Sequence, residues 1–495
     1  MRILVPQLLS LLMLMPAVAQ ATPVWTDASK AEALIERVSA NQGGAKQAIG
    51  DLAGILHLEM PFMPDPAITR PPFAASSEIK FVSTDLQLAM TQLSIHIGAN
   101  NQILVLRAQA DRRDALILQN GFSTLRTLVA VAEKQGFDGL RMVDGVAHLT
   151  RPLIVWLGAG LQLEPGDILQ MDASSGAFLL GFGQVELIGA TVKATSIAAG
   201  PKAYRPFVLI TGQGTLYAED SQFVGLGNVG ADPFGGVTVS QRGLFQPKYA
   251  ATITKSRFDD VGVIGMTGVT NGIISDNTVV AGRSTAIALD SVQGGQVSGN
   301  AVIGTKGSAG IKVANGANVH VAGNLVYAGA HNGISIGANS KAVEIVGNAV
   351  LANSETGISA QRSNCVSVIS NSIARNGASG LRMTENGVSR VQGNAVVLNT
   401  TAGLHVGKQN KGGRIEISEN LLAGNRVGLS GLEIGEVLLE QNNLTAQMPR
   451  LFDGEFSQYL AAYLTQVQQQ SNTSYRIAAA ENQDARTYLT TCNKG

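Results

Sequence analysis

Aromatic residues make up only 5% of this 495-residue chain, and two are Trp. A platform of stacked rings for sugars is therefore not evident. Charged residues are scarce at 15%, with Lys and Arg balancing Asp and Glu at a formal net charge of zero. Nucleic acid as the main partner would favour a basic excess, so none is expected, although a localised basic groove needs no net charge. Cysteine is nearly absent, at Cys365 and Cys492. That rules out a small disulfide-stapled framework. Cys365 is expected to be a buried unpaired thiol, with a bridge to Cys492 left open. The six His are scattered and no metal-ligand cluster is visible, so no cofactor is expected. Beyond the N-terminus no run of about 20 apolar residues exists, and no membrane span is expected after signal cleavage.

The N-terminus has the three parts of an export signal. Arg2 is followed by the apolar ILVPQLLSLLMLM, then by the small-x-small sites AVA (17–19) or AQA (19–21). Residues 1–21 are read as a cleaved signal peptide and the mature chain as periplasmic.

What is abundant is Gly, at 57 residues, and a repeat. Asn precedes an apolar run at Asn277, Asn300, Asn324, Asn348, Asn371, Asn394 and Asn420, at spacings of 23, 24, 24, 23, 23 and 26. Gly310, Gly333, Gly357, Gly380, Gly403 and Gly428 keep step. Two markers with one period mean one structural unit repeated. A unit this short, rich in Val, Ile, Gly and Asn, suits a coil of three short strands, each stacking in parallel on its equivalent about 4.8 Å away. Asn is expected at a left-handed corner, bonding to its own kind in a ladder, and Gly where the chain bends tightly. A leucine-rich repeat is excluded because its Leu-x-x-Leu-x-Leu signature is missing. The fold class is all-β: a parallel β-helix with three-strand coils of about 23–25 residues.

Around it, 22–110 reads as a helical and irregular extension, including ASKAEALIERVSA and the Pro-rich MPFMPDPAITRPP. The β-helix domain spans 111–445, and 446–495 reads as a C-terminal helix and polar tail. FSTLRTLVAVAEKQG (122–136) reads as an amphipathic helix with Ser123 or Thr124 as N-cap, plugging the N-terminal end of the solenoid.

A side-chain period of two assigns the outward residues of the strand opened by each Gly. One outward column is read as Thr238, Ile264, Ala288, Lys312, Ser335, Ser359, Arg382, His405 and Ser430. The next runs Ser240, Met266, Asp290, Ala314, Gly337, Gln361, Thr384 and Gly407. Inward positions are monotonous and outward ones varied, as on a binding face.

Several blocks in order, GAFLL (176–180), YRPFVLITG (204–212), GGVTVSQ (235–241) and GNAVIGTKGSAGIKV (299–313), resemble the periplasmic mannuronan C-5 epimerases of alginate biosynthesis. The resemblance covers about residues 110–430 and implies a right-handed helix acting on, or binding, an anionic polysaccharide, a polyuronate. Proteins of exopolysaccharide synthesis or secretion would be further partners. Such isomerases remove a proton α to a carboxylate, which takes a base, a cation for the developing enolate and a donor on the other face. The family's Asp-Pro-His-Asp tetrapeptide falls on Ala288, Leu289, Asp290 and Ser291, so its His position is Asp290. Its strand-end Arg position is Asn315. Both defining residues differ, and the resemblance implies altered or lost catalysis. Asp290 remains the candidate base, with His405 as the alternative. Lys312, Asn315, Arg362, Arg382, His405 and Lys408 are the candidate substrate-binding residues. DPFGG (232–236) is read as a loop before a strand, outside the site. A non-catalytic polysaccharide-binding scaffold and, less favoured, a polysaccharide lyase are the competing functions.

Overall fold

A computed structural model describes residues 65–477 except 77, 98–100, 110–112, 201–202, 244–246, 411, 448 and 470–473, together with Gln47, Gly50, Asp51 and Cys492. The signal peptide and the helix expected at ASKAEALIERVSA lie outside the described residues. None of the described helices is long and apolar enough to cross a membrane.

Three sheets of 15, 14 and 14 strands run the length of the solenoid. Within each sheet the coils pair in parallel and in register, as in Ile287↔Ile311, Ile311↔Ile334 and Ile334↔Ile358. Inward residues form one continuous apolar core from Leu116 to Ile477. A solenoid leaves an unpaired edge at each end, and such edges template aggregation unless blocked. Strand β1 (Lys80–Asp85) blocks the first sheet by pairing antiparallel with β2 (Asp114–Asn120). At the other end Ser474–Ile477 lies antiparallel on Glu436–Glu440. Helix α3 (Leu125–Lys134), which follows helices α1 and α2 described below, buries Leu125, Leu128, Val129 and Ala132 over the first coils. Its N-cap is Thr124, whose hydroxyl accepts from Thr127 N at 3.3 Å.

The Asn ladder is present, with one change of role. Each Asn of the repeat is buried, and from Asn300 on each uses its Oδ1 to accept from the backbone N–H and the Nδ2 of its counterpart one coil earlier, while Asn277 Oδ1 accepts from Ser256 N at 2.9 Å. The left-handed residue is the one before it: Asp276, Gly299, Gly323, Gly347, Ser370, Gly393 and Glu419. A second ladder, Asn353–Asn376–Asn399–Asn425, runs parallel to the first. The periodic Gly is likewise explained by close approach and not by a tight bend. A Cβ on Gly357 would lie 2.5 Å from Ile373 Cγ2 and 2.7 Å from Asn376 Nδ2.

Two further expectations are corrected. Thr238 pairs with Gly265 and Ser240 with Thr267, so Gly265 and Thr267 take the outward places assigned to Ile264 and Met266, which are both 0% exposed. Cys365 is not a free thiol: it is bonded to Cys492, 127 positions on in sequence, with the Cα atoms 5.5 Å apart.

Candidate functional site

The outer face of the first sheet divides into a covered and an open half. On the early coils the outward positions are as apolar as the inward ones: Ala115 and Ile117, then Ile154, Leu180 and Leu209. Strands apolar on both faces must be covered on both. The cover is a helical hairpin, α1 (Leu86–Ile97) and α2 (Gln102–Ala108), which sets Leu86, Met90, Leu93 and Val105 against that face. Phe178 stacks on Phe207 at 4.8 Å, and Phe207 meets Phe234 at the same distance, which extends the cover as far as the 226–235 loop. Asn101, the residue that opens α2, donates its Nδ2 to Asp232 O at 2.8 Å.

Past that point the outward column turns small or polar; Thr238 is still buried beside the 226–235 loop, and the column is uncovered from Gly265 on, through Ala288, Lys312, Ser335, Ser359, Arg382, His405 and Ser430. The groove starts as a cavity of about 270 Å³ whose walls include Asn101, Asp232, Pro233, Thr238, Arg242 and Asp290. Thr238 Oγ1 donates to Pro233 O at 2.6 Å, and Arg283 Nη2 donates to Leu226 O and Gly227 O, so the 226–235 loop is fastened to the coils beneath it. Burial and the neighbouring Arg205 lower the Arg283 pKa to about 10, and Asp260 opposes them by pairing with both arginines.

Asp290 closes the strand Ile287–Asp290 and points into this cavity. Its Oδ1 accepts from Asn315 Nδ2 at 2.7 Å and from Ser291 Oγ at 3.2 Å, while Arg242 Nη2 reaches Oδ2 at 3.4 Å. Asn315 has a left-handed backbone, φ 52°, and in turn accepts from Asn339 Nδ2 at 3.1 Å. The two positions where the resembling enzymes carry His and Arg are thus bonded to one another. Arg242 and Asp232 were not among the residues singled out in the sequence. Arg242 directly follows the GGVTVSQ block, which was its one signal. Asp232, read as lying outside the site, belongs to the cavity wall.

Lys312 is exposed on the open column, one coil beyond Ala288, and makes no ion pair among the described residues. Arg362, Glu385 and Lys408 occupy left-handed corners on successive coils, with Arg362 Nε 3.8 Å from Glu385. Arg382 and His405 are direct cross-strand neighbours. His405 Nδ1 lies 3.2 Å from Ser430 Oγ, and burial first, then the Arg382 charge, hold its pKa below the ordinary imidazole value. His405 sits five coils from Asp290, on the order of 24 Å, so the two are not parts of one reaction centre.

A family model described as periplasmic copper-binding protein (NosD) matches residues 246–435. A search of curated proteins finds no match. Among solved structures, the periplasmic alginate epimerase AlgG superposes with a TM-score of 0.64 at 18% identity, covering 79% of this chain and 99% of its own. The fold is that of a right-handed parallel β-helix of the AlgG kind. The A-module of the mannuronan C-5 epimerase AlgE6 of Azotobacter vinelandii is more distant, with a TM-score of 0.42 at 14% identity over 68% of this chain and 95% of its own. Among the described residues no three His, Cys, Asp or Glu lie close enough to share an ion. His320 and His331 are each paired with a single carboxylate, Glu344 and Glu355, at 3.0 Å.

Proposed function

We propose that the open face binds an anionic polysaccharide of the polyuronate class in the periplasm, and that it does so without completing C-5 epimerisation. The observation that carries this reading is the composition of the uncovered column on the first sheet. Lys312 and Arg382 stand on it among Ser335, Ser359 and Ser430, with no carboxylate partner among the described residues. Cations left unneutralised along a regular groove suit a ligand that brings its own carboxylates at regular spacing. A charged groove of this kind binds in a salt-dependent way.

Catalysis is a different demand. A C-5 proton transfer needs a base with a free lone pair and a donor on the opposite face. Asp290 has its oxygens engaged by Asn315, Ser291 and Arg242. The cavity walls around it offer a second carboxylate, Asp232, with hydroxyl and amide groups, but no imidazole or phenol. One observation favours a second reading, in which catalysis is altered and not lost: Arg242 stands 3.4 Å from Asp290. Arg242, drawn to a substrate carboxylate, would take the cation role that Asn315 cannot fill, and would release Asp290 to act as base.

Incubating the mature protein with polymannuronate in D₂O, alongside a binding isotherm at low and high salt, separates these readings. Salt-sensitive binding with no deuterium at C-5 is the expected result. Deuterium at C-5 establishes the altered epimerase, and unsaturated chain ends establish a lyase. Failure to bind any polyuronate removes the proposal.

A further inference from the structure

The far end of the groove holds a second cavity, of about 420 Å³, walled by Ser379, Thr401, His405, Arg426, Ser430 and Arg450 among others. Its charges are not all internally matched. Arg450 is held by Asp453 at 2.8 Å. Arg426 is exposed on the rim and makes no ion pair among the described residues, and the same holds for Arg382, which stands beside His405 on the adjoining strand. Two unmatched guanidinium groups therefore flank a floor of neutral donors and acceptors. His405 is turned to Ser430 at 3.2 Å, and Ser379 Oγ lies 3.0 Å from Thr401 Oγ1.

This is the composition of a site for a hydroxylated carboxylate. Guanidinium groups match a carboxylate in geometry as well as charge. Hydroxyl groups and an imidazole supply the exchangeable hydrogen bonds that a sugar ring needs, in a volume within the range of small-ligand sites. The cavity is continuous with the open column: Ser359, Arg382, His405 and Ser430 follow one another strand by strand.

We infer that this C-terminal cavity is a second uronate-binding site, which takes a sugar of the same polymer whose chain passes the Asp290 cavity, so that the groove binds in two places at once. The inference rests on the polysaccharide reading above. The two cavities are five coils apart, on the order of 24 Å, so a chain with about one sugar per coil needs about six sugars to reach both. Binding at the second place then becomes intramolecular, which raises affinity without any new contact. Affinity should accordingly rise with a step in chain length.

The test is fluorescence anisotropy with labelled oligomannuronates of about two to ten sugars and the mature protein. The expected result is a gain of about tenfold or more between about four and about eight sugars. In an Arg382→Ala, Arg426→Ala double variant the long oligomers should bind only as tightly as the tetramer binds to the wild type. The Arg382→Lys, Arg426→Lys variant, which keeps the charge, should recover most of the step. Both side chains are exposed, so the variants should unfold at the wild-type urea concentration. An affinity that rises evenly with length, or a step that survives the double alanine variant, overturns the two-place reading and leaves the binding groove standing. No binding at any length overturns both.

Discussion

Replacing Asn348 by Ala tests the load carried by the buried ladder. Asn348 is 1% exposed, and its Oδ1 accepts from the backbone N–H and the Nδ2 of Asn324, each at 2.9 Å. Its own Nδ2 donates to Val321 O at 2.8 Å and Asn371 Oδ1 at 2.9 Å. Alanine leaves the buried Asn324 N–H without its acceptor, whereas Asn324 Nδ2 keeps Val297 O at 2.9 Å and Ala322 O at 3.1 Å. The carbonyl of Val321 keeps its place in the sheet ladder and Asn371 Oδ1 keeps the Asn348 N–H at 2.8 Å, so those acceptors lose less. A buried donor left unmet costs about 1–3 kcal/mol, and that is the expected cost of the substitution. The Asn339 side chain makes only an exposed bond to Asn315, and because its backbone is left-handed, φ 59°, its alanine variant should cost about 0.5–1 kcal/mol. Asn442, at the partly buried end of the ladder, should lie between the two. Urea unfolding followed by circular dichroism measures all three. Because coils interact with their neighbours only, amide exchange should accelerate around 320–375 before it does in the first coils. Equal costs at Asn348 and Asn339 would refute the argument that burial of the ladder, and not the presence of Asn, is what matters.

Three other outcomes follow from particular contacts. In a histidine titration by NMR, His405 should protonate below the ordinary imidazole value, and Arg382→Ala should raise its midpoint, since that charge adds to the effect of burial. Because the folded-state value is depressed, the unfolded chain binds the proton more readily, and this group disfavours the fold as pH falls below the unfolded value of about 6.5. His320 should behave oppositely: its hydrogen bond to Glu344 raises its value, so its contribution is complete below about pH 6.5 and disappears as pH rises through the raised value. Cys492→Ser opens a link between residues 127 apart and should lower stability by about 2–4 kcal/mol, measured as a fall in Tm equal to that of the wild type under reductant. Arg242→Ala removes an ion pair between two largely exposed groups, so stability should change by no more than about 1 kcal/mol while polyuronate affinity falls severalfold, read by melting and by titration calorimetry.

The repeat was legible because every coil meets the same demands: an inward apolar pair, a small residue where Gly357 touches Ile373, and an Asn that bonds the coil before it. Register failed at the one coil where Val263, Ile264 and Met266 give apolar side chains to both faces, since period two no longer tells inside from outside there. Val263 faces outward and is only 8% exposed, with Gly235 of the coil before it packed alongside. The cavity wall was not legible for a similar reason. Asp232 and Arg242 lie in connections whose paths depend on long-range bonds, Asn101 to Asp232 across 131 residues and Arg242 to Asp290 across 48. The Cys365–Cys492 pairing likewise depends on where the tail returns, which no local pattern encodes.

The position of the groove follows from burial and not from any catalytic motif. Ile117, Ile154, Leu180 and Leu209 would expose a continuous apolar strip without α1 and α2, and fully burying each such side chain is worth about 1.5–3 kcal/mol. The cover must therefore extend as far as Leu209, and it stops being required at Gly265 and Ala288, where the outward side chain is absent or a single methyl group. That transition sets where a polymer first meets the sheet, and Asp290 stands on the coil where it occurs. A chain that keeps the transition keeps the groove, whatever occupies the His and Arg positions of the resembling enzymes. Under the proposed function, binding and catalysis are separable: the groove follows from the alternation of the strands, whereas the resembling enzymes' His and Arg positions are occupied here by a hydrogen-bonded Asp290 and Asn315.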